Sequence, residues 1–130
     1  MKLRVARHTN DLEKIKVFYL SILEFELLGS FNNHDLYDGI LIGNSNLDWH
    51  FEFTQSNENA EHHFDEDDIL VLYPETISKY NLLINKVLNS NTSIITSKNP
   101  YWNDPEVSGG KMFLDPDGFR IIISDLKAKD

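Results

Sequence analysis

The sequence predicts an α+β domain of two βαβββ modules, each a curved sheet carrying one helix, set around a cleft. Three observations predict it. Helical amphipathic spacing occurs twice, each time after one short β-compatible run and before three more. The first strands of the two series begin about 65 residues apart, half of the 130-residue chain, as duplication of one packing unit requires. The joins between runs are rich in Asn, Asp and Gly, residues suited to turns.

Lys2 to His8 reads as the first strand. Asn10 can cap the helix that follows, and Glu13 stands at the capping-box position. Leu12, Ile15, Phe18, Tyr19, Ile22 and Leu23 recur at three- and four-residue steps, which makes an amphipathic helix ending near Leu23. Three β-like runs come next: Glu26 to Phe31, Tyr37 to Ile42 and Trp49 to Thr54, with turn residues at Asn32-Asn33, Asp38-Gly39 and 43–46. The polar, acidic stretch from Thr54 to Asp68 is expected to be a connecting loop. Ile69 to Tyr73 starts the second series, and Pro74-Glu75-Thr76 opens a helix whose apolar face is Ile77, Tyr80, Leu83, Ile84, Val87 and Leu88. Asn89-Ser90-Asn91 stops that helix. Ser93 to Ser97, Lys111 to Leu114 and Phe119 to Ser124 complete the strands, the last two joined by the tight turn Asp115-Pro116-Asp117-Gly118. The first module occupies about 1–55 and the second about 67–126 of a single domain.

Composition narrows the function. Twelve Lys and Arg against 21 Asp and Glu give a net charge of −9, which leaves no global basic face for nucleic acid or an anionic membrane. The chain has no cysteine, so chemistry must come from His, carboxylates, hydroxyls, Lys or Arg, and a metal would need His and carboxylate ligands. No run approaches 18 apolar residues, and the N-terminus lacks the apolar core of a signal peptide, so the expected address is the cytoplasm. There is no phosphate-binding or dinucleotide fingerprint; Gly109-Gly110 lies far from any strand-to-helix turn.

The strand–helix opening with Asn10-Asp11-Leu12-Glu13-Lys14 and Phe18-Tyr19, then Leu23-Glu24-Phe25-Glu26-Leu27, His50-Phe51-Glu52-Phe53-Thr54, and Phe113-Leu114-Asp115-Pro116-Asp117-Gly118-Phe119-Arg120, resembles the vicinal oxygen chelate superfamily over essentially the whole chain. That superfamily includes glyoxalase I, extradiol dioxygenases and the bleomycin and fosfomycin resistance proteins. Arg7-His8-Thr9 and Asn99-Pro100-Tyr101-Trp102 point within it to a bacterial glyoxalase-like subgroup. The resemblance implies a small-molecule site in the cleft and a homodimer. It also implies metal ligands on the first and last strands of each module, and here those positions carry Arg4, Glu52, Asp68 (or Asp67, one residue earlier) and Ile122.

A guanidinium and an aliphatic side chain make a poor cage for a divalent cation. The expectation is therefore that no metal or other cofactor is bound. A divalent metal is the alternative, rescued by His8 or His50, which share faces with Arg4 and Glu52 by the strand period of two. Glu52 is the catalytic candidate. Arg4, His8, His50, Asp68, Tyr101 and Trp102 are the ligand-binding candidates. Each has a plainer reading. Glu52 can be a structural ion pair with Arg4 or Arg7. Trp102 can plug the end of a sheet rather than wall a planar ligand. His62-His63, beside Asp65 to Asp68, reads as a solvated run. The leading functional expectation is a metal-free small-molecule binder, and the rival is a metal-dependent lyase or dioxygenase.

Overall fold

The computed structural model describes all 130 residues, Met1–Asp130. They form two compact units, Met1–His62 and His63–Asp130. In the first, β1 (Leu3–His8) leads to α1 (Leu12–Lys16), which widens into a π-helical segment, Val17–Ile22, before β2 (Glu26–His34), β3 (Tyr37–Gly43) and β4 (Trp49–Gln55). The sheet order is β1-β4-β3-β2, with β1 parallel to β4 and the other pairs antiparallel. In the second unit, β5 (Ile69–Leu72), α2 (Ile77–Asn89), β6 (Gly110–Leu114) and β7 (Arg120–Ser124) give the order β5-β7-β6, again with the first strand parallel to the last. Each unit is thus a small sheet carrying one main helix, connected in the same way. No helix is long and apolar enough to cross a membrane.

The expected strand over 93–97 is reduced to one bridge, Ile95 with Met112, at the edge beyond β6. The side chain of Asn103 accounts for this, because it accepts from Ser97 N and donates to Ser97 O, both at 2.8 Å, and so takes the groups a ladder would use. Asn103 lies in a short 3-10 turn, Pro100–Asn103, that the sequence reading left without an element.

The caps and turns also shift. Asp11, rather than Asn10, caps α1: its carboxylate accepts from Lys14 N at 3.1 Å. The first hairpin turns at Asp35-Leu36, with φ of 50° and 71°, while Asn32-Asn33 lie within β2 and Asp38-Gly39 within β3. At α2 the expectation holds, since Thr76 Oγ1 accepts from Lys79 N at 3.1 Å. The closing turn also forms: Gly118 has φ of 87°, and buried Asp115 accepts from Asp117 N and Phe119 N at 2.9 and 3.0 Å. The chain end, unforeseen, is stitched to the start of α2 by Ile77 N to Lys129 O and Lys129 N to Glu75 O, both 2.9 Å.

The core of the first unit is aromatic. Tyr19 is 1% exposed and its ring lies 4.9 Å from Phe53 and 6.0 Å from Phe25. Ile15, Phe18, Leu23, Ile40, Ile42 and Phe51 close around it. In the second unit, Leu83, Ile84 and Val87 of α2 are buried, as are Met112, Phe113 and the run Ile121-Ile122-Ile123.

Candidate functional site

Strand alternation divides the first sheet between two faces. Phe51 and Phe53 of β4 face the helix, with their register partners Val5 and Arg7 of β1 on the same side. Arg7 therefore lies away from Glu52; its guanidinium stands 4.8 Å over the Phe53 ring. On the opposite face the parallel register sets Arg4 beside His50, Ala6 beside Glu52 and His8 beside Thr54. Leu41 stands across from Glu52, and Gly39, covered by the ring of Phe31, across from Thr54. Four of the candidates, Arg4, His8, His50 and Glu52, thus share one sheet face.

At one end of that face Arg4 Nε donates to His50 Nε2 at 2.9 Å, and Arg4 Nη1 lies 3.6 Å from Glu52 Oε2. The Arg4 side chain is 50% exposed and that of Glu52 20%, so the pair is a partly screened contact on an open surface. Arginine can only donate, so His50 Nε2 is the acceptor in this contact. The arrangement does not fit a divalent cation. The nitrogen and the oxygen that would ligate it are both held by a fixed positive charge. No group of three His, Asp or Glu side chains in the structure could hold a metal ion.

At the other end, His8 Nδ1 lies 2.8 Å from Thr54 Oγ1 and His8 Nε2 lies 3.1 Å from Ser56 Oγ. The Tyr37 ring is 5.6 Å from that of His8. Sequence reasoning singled out His8 but missed these hydroxyls; the signal was the alternation His50, Glu52, Thr54, Ser56, which continues one step past the strand. It also read His62 as solvated. Instead His62 Nε2 donates to the His8 carbonyl at 2.7 Å. The start of the acidic connection is tied down with it: Asn10 donates to Ala60 O at 3.2 Å and accepts from Ala60 N at 2.7 Å.

The remaining candidates lie in the second unit. Asp68 is exposed just before β5, and its carboxylate accepts from Asp65 N at 3.2 Å. Tyr101 and Trp102 occupy the 3-10 turn with rings 4.8 Å apart and edge to face. Trp102 packs where a Cβ on Gly110 would meet its Cε3 at 3.3 Å, at the start of β6. That contact sets the Trp102 ring against the first residue of β6. Ile122, at the implied fourth ligand position, is fully buried.

Comparison with known proteins agrees with this architecture. The YycE-like N-terminal domain family matches residues 3–54, and the YycE-like C-terminal domain family matches residues 67–125. The protein YycE of Bacillus subtilis (strain 168) is 33% identical over 130 residues, covering 97% of this chain and 88% of YycE. A crystal structure of a Bacillus subtilis YycE protein of unknown function, at 32% identity, superposes with a TM-score of 0.85 over 99% of this chain and 90% of that one. The trypanothione-dependent glyoxalase I of Leishmania major, 17% identical, shares the fold with a TM-score of 0.73 over 98% of this chain and 87% of that one. TnmS3, an antibiotic binding protein from Streptomyces sp. CB03234, 18% identical, does so with a TM-score of 0.66 over 95% and 93%.

Proposed function

The chain belongs to the YycE-like family within the vicinal oxygen chelate superfamily, and from that premise we propose that it binds a small organic molecule on the open face of its first sheet without a metal. The observation that carries the reading is the Arg4 contact with both His50 and Glu52. Where metal-using relatives of the fold would present ligands, this chain presents a donor and an acceptor already balanced in charge. Glu52 accepts hydrogen bonds from a guest and Arg4 donates to one, while Leu41, across from Glu52, offers apolar area beside them. A net charge of −9 favours a cationic or neutral guest over an anionic one. The drug-binding neighbour TnmS3 supports an organic ligand for this fold, and the reading extends to a cytoplasmic homodimer.

The test is calorimetric titration of tag-free protein with bleomycin and other cationic antibiotics, with fosfomycin as the anionic counter-probe. Metal content is measured on the same preparation, and light scattering gives the assembly state. Saturable binding of a cationic compound, weakened about tenfold or more in Glu52→Gln, is the expected result, since hydrogen bonds to charged groups contribute about 1.5–3 kcal/mol. Stoichiometric zinc, nickel or manganese that is lost in Glu52→Ala would overturn it in favour of a metal-dependent lyase or dioxygenase.

A further inference from the structure

We infer that Ser56, His8 and Thr54 form a second site on this face, a nucleophile, a base and a positioning residue able to cleave small activated esters. Three features of the geometry carry the inference. Ser56 Oγ stands 3.1 Å from His8 Nε2, within reach for proton transfer, and His8 Nδ1 is held 2.8 Å from Thr54 Oγ1. Ser56 Oγ also accepts the Glu58 N–H at 3.3 Å, a contact that leaves the hydroxyl's own hydrogen available to His8. In the tautomer a base requires, Nε2 accepts from Ser56 and Nδ1 donates to Thr54, and both hydroxyl partners allow it.

The frame around these groups is fixed. His8 and Thr54 are register partners in the parallel β1–β4 pair, and Thr9 N donates to Thr54 O at 2.8 Å. His62 Nε2 donates to the His8 carbonyl at 2.7 Å and anchors the segment that carries Ser56. His8 differs from His50 in one respect that matters for chemistry. Both of its partners are hydroxyls, which can donate or accept, so its ring can gain and lose a proton with both contacts kept. His50 faces a guanidinium and can only accept.

In the reaction Ser56 Oγ attacks the acyl carbonyl carbon and passes its proton to His8. The new Oγ–C bond forms, the bond from carbon to the leaving oxygen breaks, and His8 returns the proton to the departing alkoxide. Water, deprotonated by His8, then hydrolyses the acyl-Ser56 ester and restores the hydroxyl. The Tyr37 ring, 5.6 Å from that of His8, offers an apolar surface for the acyl group.

The full chain is treated with a fluorophosphonate, and the adduct is located by peptide mass spectrometry, in parallel with p-nitrophenyl acetate turnover. The expected result is an adduct on Ser56 that is absent in Ser56→Ala. Its rate of formation should fall about 100-fold or more in His8→Gln, the usual contribution of a positioned base. It should fall about tenfold in Thr54→Val and be retained in Thr54→Ser, a rescue that a merely structural role would not give. Thermal melting checks each variant, and if His8→Gln does not fold the two Thr54 variants carry the comparison alone. Absence of an adduct on Ser56, an unchanged rate in a folded His8→Gln, or equal rates in the two Thr54 variants would overturn the inference.

Discussion

Arg4 Nε donates to His50 Nε2 at 2.9 Å, so a permanent cation holds the nitrogen through which this histidine would otherwise bind a metal. The same guanidinium reaches Glu52, and removing it frees both groups on the adjacent strand β4. Arg4→His (R4H) should therefore gain affinity for zinc or nickel by at least tenfold over the parent protein, because three donors then stand on one sheet face. Isothermal titration of parent and R4H protein measures this, and equal affinities would show that some other feature keeps metals out.

The Asp115 carboxylate accepts two backbone N–H groups in the turn before β7 and is buried. Asp115→Ala leaves both donors without that partner and should cost about 2 kcal/mol, from the usual penalty for an unmet buried donor. Urea unfolding monitored by tryptophan fluorescence reads this as a lower midpoint at unchanged slope.

Tyr80 donates its phenol proton to the Gly109 carbonyl at 3.3 Å, and its pKa is raised above the ordinary 10, first by burial and then by the negative charge of Asp125. The native state thus holds this proton more tightly than the unfolded chain does. The resulting stabilisation is complete below pH 10 and is lost as pH rises from there through the native value. Denaturant midpoints of the parent and Tyr80→Phe should keep a constant difference from neutral pH to about pH 9, and the parent should lose ground to the variant above pH 10. A difference that stays flat across the alkaline range would contradict this.

Asn10 ties the connecting segment at Ala60 through two hydrogen bonds. Asn10→Ala should loosen residues 56–62 without unfolding the sheet, so Glu-specific proteolysis at Glu58 and Glu61 should accelerate several-fold while the melting temperature moves little. Cleavage at the parent rate would mean that the His62 contact alone holds the segment.

Helix and strand identity was legible in the sequence wherever burial followed a simple period. The apolar spacing from Ile77 to Leu88 gave α2, and alternation from Trp49 to Thr54 gave β4 with the correct residues on each face. Turn chemistry was less decisive. Leu36 takes a φ of 71° that no propensity assigns to leucine, whereas the better turn formers Asn32 and Asn33 lie within β2. Asn10 and Asp11 are both good caps, and the choice between them rests on Ala60, fifty residues away, which claims the Asn10 side chain. The site was half legible for the same reason. Period two places Arg4 with His8 and His50 with Glu52, but the hydroxyls around His8 meet it only through a parallel register between strands some 46 residues apart.

That parallel pairing has a consequence for how the protein comes into being. In both units the opening strand rests against the closing one, Leu3 beside Trp49 and Ile69 beside Arg120. On the ribosome each opening strand therefore emerges without a neighbour and waits for the rest of its half to be synthesised, while the helix and the antiparallel hairpin form locally behind it. A nascent chain cut short before Trp49 keeps a hairpin with nothing to receive its first strand, so β1 is the segment most exposed to chaperones and proteases during translation.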